Sequence, residues 1–110
     1  MKRGEIWLVS FEPSVGTEIR KTRPALIISN NISNDYYSKV TLLPISSKLK
    51  DNEMLVAISP DQMNKMKSMS QVKIPDVTTF DKSRIKSKIG EISAKKLKEV
   101  EEKLRLHLAL

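Results

Sequence analysis

The chain has no cysteine and a single histidine, His107. Those absences remove a disulfide framework, a thiolate zinc site and an imidazole-based metal centre; metal chemistry would need carboxylates alone. Aromatic residues make up 5% of the 110 residues, so Trp7 and Phe11 read as core side chains rather than as stacking platforms for bases. No apolar run is long enough for a membrane span. The opening "MKRGEIWLVSF" mixes cations with a polar and apolar strand pattern, unlike a signal peptide. The expectation is a soluble, cytoplasmic protein with no membrane partner. Acidic residues are also in deficit: 13 Asp and Glu face 20 Lys and Arg, a net charge of +7. Such a surface favours polyanions, nucleic acid first and an acidic protein second.

What is present suits one small domain spanning 1–110, at 12.5 kDa too short for two ordinary cores. Residues 5–11, "EIWLVSF", are apolar at both parities, as in a strand covered on two sides. Residues 12–24 hold two prolines and a glycine and read as a long loop. "ALIIS" (25–29), "KVTLLPIS" (39–46), "EMLVAIS" (53–59), "SQVKI" (70–74) and "DVTTFD" (76–81) predict further short strands, and "NNISND" a turn or one short helix. Met63, Met66 and Met69 recur every third residue as an apolar stripe, for core or for a groove. Lys82, Arg84, Lys86 and Lys88 form a basic run. Ser93 is an N-cap candidate for a C-terminal amphipathic helix carrying Leu97, Val100, Leu104 and Leu108 on one face. Glu99 with Lys103, and Glu101 with Arg105, would support it at i,i+4 spacing.

The stretch "GTEIRKTRPALIIS" concentrates charge ahead of a strand. Pro24 fixes its own φ and pushes Arg23 toward extended geometry, which places a guanidinium at a defined point. A planar fork of donors at a fixed position suits phosphate.

Three blocks then resemble the MazF/PemK/Kid family of toxin endoribonucleases from toxin–antitoxin pairs. "RGEIWLVSFEPSVGTEIRKTRPALIISN" is similar to its N-terminal signature, "VTLLPISS" to its strand ending in Pro-Ile-Ser/Thr, and "VTTFDKSRI" with "KIGEIS" to the block before its terminal helix. The resemblance implies a mainly β fold with α: a small SH3-like β-barrel with a C-terminal helix, working as a homodimer. It implies metal-independent, cofactor-free cleavage of single-stranded RNA at short motifs, leaving a 2′,3′-cyclic phosphate and a 5′-hydroxyl. An acidic antitoxin is the implied protein partner, with DNA binding in its company.

Carried over residue by residue, the catalytic arginine falls on Arg23, the phosphate-contacting hydroxyl on Ser46 with Ser47 beside it, and the loop carboxylate on Glu18, as general base or as a group orienting Arg23. Arg20 and Lys21 would attract phosphate generally, and Thr22 stands where some relatives carry histidine. Asp76 and Thr78 replace the glutamine and arginine usual in the third block, so RNA specificity should differ; Thr79 and Arg84 keep its pattern as substrate contacts. Asp81 and Arg84 read equally well as a pair holding a turn. The rival reading is a non-catalytic toxin of the same fold that grips a protein such as gyrase, or a degenerate member that binds only RNA or antitoxin. The C-terminus "LRLHLAL" lacks the Trp-Gly-Ile ending of the gyrase binders.

Overall fold

The first strand is apolar at both parities, and each of its faces has its own core. The computed structural model describes residues 1–11 and 22–110. In chain order these form β1 (Glu5–Ser10), β2 (Thr22–Ile27), α1 (Asn31–Tyr36), β3 (Lys39–Ser46), β4 (Leu55–Ile58), β5 (Ser70–Lys73), β6 (Thr78–Asp81), β7 (Ile85–Glu91) and α2 (Ala94–Leu108), with 3-10 turns at Ile74–Asp76 and Lys82–Arg84. Ile6, Leu26, Leu43, Ile45, Val72 and Val100 belong to one buried cluster. Val9, Ala25, Ile27, Val40, Leu42 and Ile85 belong to another, with Trp7, Phe11 and Phe80 packed on it. Odd and even residues of β1 and β2 separate cleanly between the two, as a side-chain period of two requires. Each fully buried Ile or Leu contributes about 1.5–3 kcal/mol.

The strands pair antiparallel in the order β4-β5-β3-β2-β1-β7, and β6 pairs β3 off this path. Strand β3 forks the sheet: Lys39–Leu42 of β3 face β6, while Ile45 and Ser46 face β5. Leu43 and Pro44 stand between, and Pro44 has no N–H to donate. The 3-10 turn Ile74–Asp76, which joins β5 to β6, therefore lies across that gap.

Of the expected small barrel with a C-terminal helix, the mainly β fold and the helix are present, and the seven strands form an antiparallel sheet that is not closed, since β4 and β7 end it without pairing to each other among the described residues. A turn occupies the place where closure would occur. Asn64, 2% exposed, accepts from the amides of Asp61 (3.0 Å) and Met66 (2.9 Å) and donates to Ser59 O (2.8 Å), just past β4. On its other side Met63 O accepts from Glu91 N (2.9 Å). Gly90 permits the approach, because a Cβ there would sit 2.5 Å from the carbonyl oxygens of both Met63 and Asn64. The methionine stripe is thus split by a turn: Met66 packs against the first core, while Met63 and Met69 are exposed.

Helix α2 begins as expected, with the Ser93 side chain accepting from Lys96 N. Val100 is buried, and Leu97 and Leu104 pack on the first core. The apolar stripe ends there; Leu108, Leu106 and Leu110 are exposed. The expected i,i+4 pairs give way to others: Glu99 meets Lys96 at 2.9 Å, and Glu101 reaches Arg3 near the start of the chain. Among the described residues no helix is long and apolar enough to cross a membrane.

Candidate functional site

Arg23 and Ser46 meet at one cavity. Arg23 lies opposite Val9 in the β1·β2 ladder, between exposed Thr22 and half-buried Pro24. Ser46 ends β3 opposite Gln71 and is 8% exposed. Both share the sheet face of the second core, two and four residues along from Ala25 and Leu42 respectively. They line a cavity of ≈ 190 Å³ together with Phe11, Pro44, Lys73 and Asp76. Lys73 closes β5, and Asp76 ends the turn across the fork in β3. Lys73 Nζ lies 3.7 Å from Asp76 Oδ2.

The chemistry this arrangement can perform follows from its charges and donors. Two cations, Arg23 and Lys73, face one carboxylate, Asp76, around the same small space. Ser46 Oγ accepts from Lys48 N at 3.1 Å, which leaves its hydroxyl hydrogen to donate. A cation pair with a hydroxyl donor matches a phosphate diester and the extra charge it gathers when attacked. Among the described residues no group of three or more His, Asp or Glu is placed to hold a metal ion.

Other sequence candidates are dispersed. Glu18, Arg20 and Lys21 lie outside the described residues. Thr22 is exposed at the head of β2, opposite Ser10. Ser47 lines a different cavity of ≈ 390 Å³, with Leu8, Pro24, Ile45, Met66 and Ile89. Thr78 is half-buried opposite Leu42, on the face of the Arg23 cavity. Thr79 points to the other face: its hydroxyl bonds Thr41 at 2.9 Å, and it lines a third cleft beside α1. Arg84 Nη1 donates to Ser10 O (3.3 Å) and Phe11 O (3.4 Å), and its guanidinium sits 5.3 Å over the Phe80 ring. Phe80 in turn meets Phe11 edge-on at 5.2 Å. Arg84 therefore braces the end of β1 beside the cavity. Asp81 caps the 82–84 turn by accepting from Ser83 N at 2.9 Å, and that bond holds its carboxyl below the usual carboxylate value.

Lys73 was not among the sequence candidates. The run "VKIPD" places it three residues before Asp76, a spacing that hints at an ion pair but says nothing of Arg23. Glu5 was missed as well, and its role is structural. Its Oε1 accepts from Lys2 N (2.7 Å) and Trp7 Nε1 (2.9 Å), and its Oε2 lies 3.1 Å from Lys88 Nζ. Burial pushes the Glu5 carboxyl up, but the bonds from Trp7, Lys2 and Lys88 outweigh it and hold the group below its ordinary value. Lys88 is raised in turn, chiefly by its bond to Glu5.

Comparison with known proteins adds a family to this geometry. Residues 2–108 match the family described as PemK-like, MazF-like toxin of type II toxin-antitoxin system. Endoribonuclease MazF of Staphylococcus saprophyticus is 29% identical over 111 residues, covering 100% of this chain and 92% of that protein. Endoribonuclease MazF9 of Mycobacterium tuberculosis is 27% identical over 115 residues, covering 100% and 98%. The crystal structure of MazE-MazF (Form-II) from Deinococcus radiodurans superposes with a TM-score of 0.83 at 24% identity, covering 100% of this chain and 96% of that one, which shows a shared fold.

Proposed function

The chain belongs to the PemK-like, MazF-like toxin family of type II toxin–antitoxin systems, and from that premise we propose that it is an endoribonuclease that cuts single-stranded RNA through its own 2′-hydroxyl. The observation that carries the reading is the convergence of Arg23, Ser46, Lys73 and Asp76 on one cavity. The ribose 2′-oxygen forms a bond to the adjacent phosphorus, and the bond from phosphorus to the 5′-oxygen breaks. One proton leaves the 2′-hydroxyl and one reaches the departing 5′-oxygen, so the products are a 2′,3′-cyclic phosphate and a 5′-hydroxyl.

In this reading Arg23 grips the non-bridging phosphate oxygens through its planar fork, and Ser46 donates its hydroxyl hydrogen to the same group. Lys73 adds a second positive charge, held toward the cavity by Asp76. Charge stabilisation at the phosphorane is the main catalytic contribution, because the donors are in place before the charge develops. Glu18 is the proposed proton acceptor. Arg20 and Lys21 add cationic attraction for RNA, Thr22 offers a hydroxyl contact, and Asp76 and Thr78 set specificity on the cavity's face. Arg84 is a positioning residue through Ser10 and Phe11.

The same reading assigns the protein to the cytoplasm as a homodimer, neutralised by an acidic antitoxin that competes for its basic surface. One solved protein of this fold is an endoribonuclease in complex with its cognate antitoxin, from a mycobacterial species, and the net charge of +7 here suits an acidic partner. The chemistry is tested by the ends it leaves. Digesting a long RNA in EDTA should give fragments with 2′,3′-cyclic phosphates, and a 2′-deoxy residue at a mapped cleavage site should block cutting there. Linear 3′-hydroxyl ends, or cutting at the deoxy residue, would rule the mechanism out.

A further inference from the structure

Thr79 does not join the Arg23 cavity, and the place it occupies has the chemistry of a separate binding site. An open cleft of ≈ 500 Å³ is lined by Thr79, Thr41, Ser29, Ser33 and Ser38, with Tyr37 and Lys39. Helix α1 forms one wall. Ser33 and Tyr37 are four residues apart and so share a side of that segment, while Ile32 and Tyr36 present another. Tyr37 is 59% exposed, and its ring meets that of Tyr36 at 5.0 Å and 86°. An edge-to-face pair leaves ring surface that neither partner covers.

The lining favours an unpaired nucleotide over an apolar protein segment. It is rich in hydroxyls, which both donate and accept and so tolerate any base edge. The Thr41 and Thr79 hydroxyls bond each other at 2.9 Å, and that pair still has one hydroxyl hydrogen to give. Ser29 is committed to Asn34 and Thr41 and serves as framework. Among the described residues no carboxylate lines the cleft. Asp81 faces Lys39 across the β3·β6 ladder and is engaged by Ser83 N. A tyrosine ring beside hydroxyls and a lysine supplies a stacking surface, edge contacts and a cation for the backbone, the combination used for single strands.

We propose that this cleft is a second RNA subsite, in which Tyr37 stacks on an unpaired base of the same strand that is cut at Arg23, a proposal resting on the endoribonuclease reading. Thr41 lies five residues from Ser46 along β3, roughly 17 Å, on the opposite sheet face, so an RNA must wrap the sheet end to fill both sites. Only a long strand does so. The subsite therefore selects for length and contributes affinity away from the scissile bond.

The test uses 2′-O-methyl RNA, which has no 2′-hydroxyl to attack, at about 16 and about 4 nucleotides, the range of single-strand site sizes. Fluorescence anisotropy should show that Tyr37→Ala weakens the long RNA by about fivefold or more and narrows its advantage over the short one. Tyr37→Phe should keep the advantage. Photocrosslinking of 4-thiouridine RNA to the unaltered protein should recover the Tyr37 peptide, which decides the matter even if Tyr37→Ala does not fold. Long RNA that binds equally to both proteins, with no crosslink at Tyr37, overturns the subsite and leaves the cleft to a protein partner. Failure of the unaltered protein to bind either RNA overturns the ribonuclease reading as well.

Discussion

Replacing Lys73 separates a catalytic charge from a structural one. Lys73 Nζ and Asp76 Oδ2 are 3.7 Å apart, with side chains 29% and 55% exposed, so the pair is a surface-type ion pair worth no more than about 1 kcal/mol. Lys73→Met should therefore move the urea midpoint very little. Its effect on the rate should be larger, because in the proposed reaction cleavage adds negative charge to a phosphate between Lys73 and Arg23, which line the same cavity. A unit charge about 4 Å away is worth roughly 1 kcal/mol in water and roughly 4 kcal/mol near a protein surface, and Asp76 offsets part of it. About 2 kcal/mol remains, or roughly 30-fold in the chemical step. Single-turnover cleavage of a fixed RNA at saturating enzyme reads that step directly, and Lys73→Arg should recover most of the loss by restoring the charge. A Lys73→Met enzyme cutting within twofold of wild type would refute the reasoning. So would a rate loss that tracks an equal loss of stability.

Three further outcomes follow from the packing. Glu5→Gln keeps two hydrogen bonds in neutral form and loses the charge facing Lys88, a cost of about 2 kcal/mol at neutral pH. Because the Glu5 carboxyl is held below its ordinary value, its contribution is present above the unfolded carboxylate pKa and is lost as pH falls through the lowered one. The gap between wild type and Glu5→Gln in urea titrations should thus be full at neutral pH and close in acid; a gap unchanged in acid would show that the charge is irrelevant. Gly90→Ala should destabilise by about 1–3 kcal/mol, since the new methyl meets two backbone carbonyls at 2.5 Å; an unchanged thermal midpoint would mean the 61–66 turn is not fixed there. Ser93→Ala should cost about 1 kcal/mol of stability through the lost cap on Lys96 N, measured in the same titrations, and an unaltered midpoint would count against the cap.

Local chemistry was the legible part of this chain. Strand β3 occupies the span 39–46 that the run "KVTLLPIS" predicts, and Ser93 caps α2 as its position implies. Strand β2 begins earlier than its apolar run because Thr22 and Arg23 pair with Ser10 and Val9, a gain from the neighbouring strand that no local pattern shows. Strand β7 was hidden by its exposed Lys86 and Lys88, which read as a basic track although the backbone between them pairs with β1. The turn at Asn64 depends on side-chain bonds to Ser59, Asp61 and Met66 that spacing alone cannot announce. Arg23 and Ser46 were visible from Pro24 and from the resemblance; Lys73 was not, because the fork at Pro44 that brings it to Arg23 is a property of three strands together.

The central claim, that Arg23 acts on a phosphate in metal-independent RNA cleavage, is tested most directly by cutting a long RNA in EDTA with the wild-type protein and with Arg23→Ala. Loss of the guanidinium should lower the rate by about 10²- to 10³-fold, the scale of removing one preorganised donor from a developing anion, with an unchanged urea midpoint because Arg23 is exposed. RNA left intact by the wild type, or cut equally fast by both proteins, would contradict the account.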